Sequence, residues 1–301
     1  MKVIVTGGCG FIGSHLVELL LKENYQVTVI DNLSNGKISN LPYSHDNLSI
    51  IEADICDESI ATHFRGVDQV YHLAALADIV PSINFPSEYM RVNIMGTCNV
   101  LEASRQYSVK RIIYTASSSC YGIPSMYPTP ESAEIQPRYP YALSKYLGEK
   151  TFLHWLQVYG LKGLSLRLFN VYGPRARTSG NYGAVLGVFL AQKFSQAPLT
   201  IVGDGNQVRD FTHVNDVAKA FVLAGKSSTS GLTINIGSSH PISINTLANL
   251  IDEKRVYIPD RPGEPRTTHA DISLAKKVLG WQPTVKFEEG VKSLFNDTSW
   301  K

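Results

Sequence analysis

The chain has 301 residues, 44% hydrophobic and 18% charged, with a formal net charge of +2. That length buries a large core and fits one big α/β unit or two closely packed domains. The near-balanced charge excludes the basic surface that nucleic acid or an anionic membrane demands. No run of about 18 apolar residues exists to cross a bilayer.

Four cysteines (Cys9, Cys56, Cys98, Cys120) show no CxxC spacing, so neither a zinc site nor a redox pair is indicated. They read as reduced thiols of a cytoplasmic protein. The opening MKVIVTGG meets glycine too soon for a signal peptide.

The first two-thirds alternates apolar, β-rich runs with amphipathic stretches, the pattern of a parallel sheet with crossover helices. The first strand, Lys2–Thr6, runs into TGGCGFIGSH and a helix over Ser14–Leu21. Gly8, Gly10 and Gly13 satisfy GxGxxG, and Gly7, Gly10 and Gly13 satisfy GxxGxxG. Glycine lets the backbone approach a pyrophosphate, which then sits on the helix N-terminus. A second strand, Gln26–Ile30, ends at Asp31, about 20 residues on, where an acid accepts hydrogen bonds from an adenosine ribose. Asp31 also repels a 2′-phosphate, so NAD is expected rather than NADP. Asp54 closes a third strand, Leu48–Glu52, and reads either as a loop or capping aspartate or as a contact to the adenine edge.

A fourth strand, Val67–Leu73, closes in HLAA, and a helix over Glu88–Tyr107 carries NIMGT. The strand Arg111–Thr115 then opens into TASSSCYG. A long helix is expected from Pro140 to about Tyr159, with proline in its first turn. Tyr141 and Lys145 fall at i and i+4 on one face of it. For a phenol to act as a base near neutrality its pKa must fall by about 3, roughly 4 kcal/mol. An ammonium about 5 Å away supplies roughly 3 kcal/mol at an effective dielectric near 20. After a strand over Gly163–Phe169 the texture changes to Gly-, Pro- and Arg-rich loops, as in a smaller lobe closing over a site. The strand Leu232–Ile236 is expected to return to the first domain. A last helical piece, DISLAKKVLGW, is expected to pack on the small lobe.

The order glycine loop, HLAA, NIMGT, serine cluster, YALSK resembles the extended short-chain dehydrogenase/reductase family over essentially the whole chain. RLFNVYGPR, GDGNQVRDFTHVNDVA and RPGE resemble its nucleotide-sugar branch, above all UDP-hexose 4-epimerases. The resemblance implies a Rossmann-type doubly wound sheet (1–170) with a smaller substrate lobe (171–301), and a homodimer. It also implies roles residue by residue. Ser117, four positions before Tyr121-Gly122, would relay or orient a proton. Tyr141 would take that proton from the sugar 4-hydroxyl, and Lys145 would hold the nicotinamide ribose and depress the phenol's pKa. NAD would be held by Gly7, Gly10, Phe11, Ile12 and Gly13. After the second and third strands come Asp31, Asn32, Ser34, Asn35, Gly36, Asp54 and Ile55. Leu73, Ala74, Ala75, Ala77, Asn93 and Phe169 would complete the set. The substrate would meet Asn170, Ala184, Val185, Ile201, Arg209, Arg261, Glu264 and Thr268, with the two arginines clamping the diphosphate.

Relatives that dehydrate the sugar carry Asp-Glu directly after the catalytic hydroxyl residue, and decarboxylating relatives carry a glutamate in the same segment. Here Ser118 and Ser119 stand there, and hydroxyls do no acid–base work near neutrality. What remains is hydride removal from C4, a transient 4-ketose, and hydride return to the other face, with NAD retained. Ala77 stands where some epimerases carry a cofactor-contacting lysine, and 248–261 is short. Thr268, small beside C2, leaves both plain and N-acetylated hexoses open. A UDP-glucuronate epimerase, a 4-keto-sugar reductase and a non-enzymatic NAD sensor are the alternatives; retention of Ser117, Tyr141 and Lys145 speaks against the last.

Overall fold

The computed structural model describes residues 1–176, 185–260 and 265–295. The apolar runs form β1 (Lys2–Thr6), β2 (Gln26–Asp31), β3 (Leu48–Glu52), β4 (Gln69–His72), β5 (Arg111–Ser117) and β6 (Gly163–Leu168). Four short strands follow, β7 (Val171–Tyr172), β8 (Leu199–Val202), β9 (Val208–Arg209) and β10 (Thr212–His213). Then β11 (Leu232–Ile236) returns and pairs with β6. The result is one seven-stranded sheet, ordered β11-β6-β5-β4-β1-β2-β3, parallel throughout. This is the doubly wound, Rossmann-type α/β architecture.

Both faces of the sheet are covered, which is why its strands are apolar almost residue by residue. Val3 and Val5 face one layer with Leu16, Leu20 and Phe221. Ile4, between them, faces the other with Val100, Leu101 and Phe152. The covering helices are α1 (Phe11–Lys22), α2 (Ile79–Asn84), α3 (Pro86–Met90), α4 (Thr97–Gln106) and α5 (Pro140–Tyr159). Tyr139 is extended before Pro140, as sterics before proline require, and Gly160 ends α5 with φ +70°.

The single helix expected over Glu88–Tyr107 is instead α3, a wide π-helical turn over Arg91–Gly96, and α4. The cause is local. Asn93 turns its side chain out to Leu76 and Ser144, and its carbonyl accepts the Thr97 hydroxyl at 2.8 Å. Such bulges recur at functional sites.

The remaining elements are α6 (Val185–Phe194), α7 (Val214–Lys226), β12 (Ile242–Ser243), α8 (Ile244–Ile251), β13 (Arg255–Ile258), α9 (Ser273–Leu279) and α10 (Phe287–Leu294). The pairs β10–β7, β9–β12 and β8–β13 organise a second core around Phe189, Leu199, Leu247 and Leu294. The expected docking of the last helical piece on this lobe is wrong. Ala275, Leu279 and Trp281 join the core under the large sheet, and the Trp281 indole donates to the Asp216 carbonyl at 2.8 Å. The buried indole needs that acceptor, and α7 supplies it.

The strand order reverses between β4 and β1, and ligands of such sheets bind at the carboxyl ends beside that reversal. The glycine loop, Asp31, Leu73, Ser117 and Phe169 all lie at that edge.

Candidate active site

The glycine loop is built by contacts that exclude side chains. Gly7 has φ +70°, and a Cβ there would lie 2.7 Å from the Ala74 nitrogen; a Cβ on Gly13 would collide with the Gly7 carbonyl. Gly10 differs. Its φ is an ordinary −77°, and a Cβ would meet only the Gly7 oxygen, at 3.2 Å. The protein itself does not demand glycine there, so the bare backbone serves something that approaches from outside. Gly10 is the N-cap of α1, which has no side-chain cap and no acid in its first turn. The N–H groups around Phe11 and Ile12 are thus left for an anion.

Asp31 is buried at the end of β2 and accepts from the Cys9 and Leu33 amides, both at 2.9 Å. Each oxygen keeps a further lone pair, the requirement for gripping ribose hydroxyls. Asn32 donates to Asp54 at 3.3 Å and accepts the Ser34 amide at 3.1 Å. Gly36 packs on Cys9 and Asp31, and Asn35 and Ser34 are exposed on the same loop. Burial would raise the Asp54 pKa, but the Cys56 amide, Asn32 and Arg91 outweigh it and hold the carboxyl low. Ile55 is buried beneath, against Gly96, so only its backbone can meet a ligand. These residues fit a dinucleotide: donors for a diphosphate, an acid for the ribose, a pocket at Asp54 for the base.

From β1 a continuous polar chain runs to α5. Thr6 Oγ1 accepts the Leu73 and Ala74 amides at 3.2 Å and pairs with His72 Nδ1 at 2.7 Å. The other His72 nitrogen reaches Thr97 Oγ1 at 3.0 Å. Burial drives the His72 pKa down to about 3, assisted by Lys145. Asn93 accepts from the Leu76 amide and donates to Ser144, whose hydroxyl donates to the Tyr141 carbonyl. Ala75 is half-buried on this stretch and Ala77 is exposed.

The three catalytic candidates come together. Tyr141 donates its hydroxyl proton to Ser117 Oγ at 3.2 Å, and Ser117 Oγ and Ser119 Oγ lie 2.8 Å apart. Ser119 is therefore more than a turn residue: its hydroxyl completes the Tyr141–Ser117 cluster. Lys145 is buried, with Nζ 4.7 Å from the centroid of the Tyr114 ring. Burial lowers its pKa to about 7, opposed by Glu149. One expectation is corrected here. The Tyr141 pKa is raised by burial, with Asp78 adding to it, against the hydrogen bonds from the serines. The Lys145 ammonium sits on the Tyr114 ring, so a phenolate base here calls for the positive charge of a bound cofactor beside that of Lys145.

The substrate candidates divide. Asn170 follows β6 with an exposed side chain, and its Oδ1 accepts the Thr268 hydroxyl at 2.9 Å. Thr268 Oγ1 also accepts the Asp210 amide at 3.0 Å, which fixes its rotamer. Arg209 donates to the Val208 and Pro265 carbonyls at 3.0 and 2.9 Å, which fixes its guanidinium against Pro265. Val185 opens α6, half-buried. The Ile201 and Phe169 side chains are buried, Ile201 in the lobe core and Phe169 against Tyr121, so they offer a ligand only backbone. Ala184, Arg261 and Glu264 lie outside the described residues.

Several residues escaped the sequence reading. Asp210 is fully buried and accepts from Ser238 N and Oγ, Ser239 N and Ala270 N, tying the Arg209 and Thr268 segments together. Arg175 donates to the Asn40 carbonyl at 2.6 Å, and Asn40 donates to the Cys9 carbonyl, pinning the loop after β2 on the glycine loop. Arg167 and Glu149 form a buried ion pair at 2.6 Å. A charge inside an apolar strand, as in LSLRLF, was the available signal.

Glycine cradle, ribose acid and Ser-Tyr-Lys cluster at a Rossmann sheet edge define an extended short-chain dehydrogenase/reductase. The chain belongs to that family: residues 4–294 match the family model described as GDP-mannose 4,6 dehydratase. Among curated relatives, the putative UDP-glucose 4-epimerase of Methanocaldococcus jannaschii is 36% identical over 303 residues, covering 98% of this chain and 97% of that protein. Among solved structures, a UDP-N-acetylglucosamine 4-epimerase from Methanobrevibacter ruminantium, in complex with UDP-N-acetylmuramic acid, has a TM-score of 0.93 at 36% identity, with 98% of each chain covered. The UDP-glucose 4-epimerase of Thermus thermophilus, complexed with NAD, has a TM-score of 0.87 at 33% identity, covering 97% of each chain.

Proposed function

We propose that the protein is an NAD-dependent UDP-hexose 4-epimerase, with residues 1–170 binding the dinucleotide and the later segments binding the UDP-sugar. The observation that carries this reading is the Ser119–Ser117–Tyr141 hydroxyl cluster beside buried Lys145, with no acid at 118 or 119. Although the matching family model bears a dehydratase description, an elimination needs a carboxyl group there to protonate the leaving hydroxyl.

Bound at the glycine loop and Asp31, NAD would supply a hydride acceptor for C4 that gives the same hydride back to the other face, and a positive charge that would lower the Tyr141 pKa. The chain does the rest. Tyr141 takes the 4-hydroxyl proton and returns it after the ketose has turned over, and Ser117 holds that oxygen in line. Lys145 keeps a positive charge behind the phenol and engages the ribose. Arg209 and the Asn170 amide, oriented by Thr268, hold the diphosphate end while the hexose rotates. Plain and N-acetylated hexoses both fit beside Thr268. The exposed Met95, Leu143 and Leu147 on the π-turn and α5 form the face through which two copies pair as a homodimer.

The test is incubation with UDP-glucose and UDP-GlcNAc without added cofactor, with products resolved by proton NMR. Appearance of the galacto epimer of either supports the reading. A product lacking the 6-hydroxyl, or net consumption of NADH added in a parallel incubation, overturns it.

A further inference from the structure

Arg167 lies on β6, in register with Ala116 of β5 on one side and Asn235 of β11 on the other. Its guanidinium is engaged on both edges. Nη2 and Nε donate to the two Glu149 oxygens at 2.6 and 2.9 Å, a bidentate pair, and Ser165 adds a third donor at 3.2 Å. Nη1 donates to the Tyr121 hydroxyl at 2.8 Å. Tyr121 in turn donates to Asn235 Oδ1 at 2.8 Å, and the Asn235 amide donates to Glu131 at 2.8 Å. Gly122 follows with φ +63°, where a Cβ would collide with the Gln136 carbonyl.

The two segments joined this way are the two halves of the catalytic cluster. Glu149 belongs to α5, which carries Tyr141 and Lys145; Tyr121 ends the short helical turn that begins after Ser117. A buried ion pair is a poor stabiliser relative to apolar packing, so its usefulness lies in fixing one geometry. We propose that Arg167, with Glu149 and Tyr121, is the positioning element that sets Ser117 against Tyr141 and holds Lys145 in its buried place. This rests on the epimerase reading for its kinetics, not for its electrostatics.

Glu149 is also the anion that sustains the Lys145 charge against burial. Around Lys145 and Tyr141 the other titratable groups are Tyr114 from β5, neutral His72 from β4, Tyr89 from α3, Asp78 ahead of α2 and Cys120 beyond Ser117. Of the acids, Asp78 acts on Tyr141, where it raises the pKa. Glu149 is the carboxylate that sustains the Lys145 ammonium.

Two variants separate the two roles. Tyr121→Phe removes only the hydroxyl that joins Arg167 to the serine turn. It should lower kcat at least about tenfold with KM and the Lys145 titration unchanged. Glu149→Gln/Arg167→Met removes both charges of the pair together, so neither partner is left unpaired and the change falls on Lys145. It should lower the Lys145 apparent pKa by about one, read by NMR of 13C-ε-lysine protein with Lys145→Met as the assignment control. Wild-type kcat in Tyr121→Phe, or an unmoved Lys145 titration in the folded double variant, overturns the proposal. If the wild type epimerises nothing, the functional reading fails and the titration alone decides this one. Failure of the double variant to fold leaves the decision to the Tyr121→Phe kinetics.

Discussion

Two glycines of one loop should fail in opposite ways. At Gly13 an added Cβ collides with the Gly7 carbonyl and lies 2.8 Å from Gly8 Cα, both backbone atoms that cannot swing aside. Gly13→Ala therefore forces α1 and the loop apart, a cost of about 3 kcal/mol for overpacking of this severity. The unfolding entropy is about 2.1 cal/mol/K per residue, or about 0.63 kcal/mol/K for this chain, so the melting temperature should drop by about 5 °C. At Gly10 the added Cβ meets one oxygen at 3.2 Å in a permitted backbone conformation. Gly10→Ala should lower the melting temperature by no more than about 2 °C, since alanine is worse than glycine at an N-cap by about 0.5–1 kcal/mol. Its methyl group stands where a diphosphate must approach, weakening charge-assisted bonds that contribute about 1.5–3 kcal/mol each. A loss of about 2 kcal/mol is roughly a 30-fold rise in the NAD dissociation constant. The assays are scanning calorimetry and NAD content after acid denaturation. Wild-type NAD content in Gly10→Ala would refute the placement of the diphosphate over this loop.

Tyr141→Phe should lower kcat by about 10²–10⁴ with the melting temperature and retained NAD unchanged; wild-type turnover would remove Tyr141 from the chemistry. Asp31→Asn should narrow the preference for NAD over NADP by about tenfold, about 1.4 kcal/mol, measured by competitive binding of the two dinucleotides. Folding stability should fall as pH drops below about 6.5, because burial holds His72 to about 3 and His213 to about 4 in the folded protein. The unfolded chain then binds more protons, and each histidine contributes up to about 1.4 kcal/mol per pH unit. Urea melts between pH 6.5 and 5 should show this slope, roughly halved in His72→Gln.

The sheet was legible because burial on both faces writes itself into a strand as a run of apolar residues. All seven strands of the large sheet were marked by such runs, the edge strand β3 too although none of its residues is buried, and Leu232–Ile236 was recognised far from its neighbours in the chain. The helix that carries Tyr141 and Lys145 was legible from Pro140 at its start. What the sequence concealed were the interactions that side-chain identity alone does not locate. The break at Asn93 depends on partners at Leu76 and Ser144, many residues away. The docking of α9 depends on an acceptor for Trp281 that α7 offers only once folded. The pairing of Tyr141 with Lys145 was correct in spacing, but one face of a helix still left the ammonium free to settle on Tyr114. Among the serines, counting singled out Ser117, whereas the contact at 2.8 Å adds Ser119.

The most direct test of the central claim uses UDP-glucose carrying deuterium at C4, incubated with the protein as purified and no added cofactor. Hydride removal and return within one site predicts UDP-galactose that keeps the deuterium at C4, with no label in solvent. Epimer with the label washed out, or no epimer from this sugar or its N-acetylated counterpart, would contradict the account.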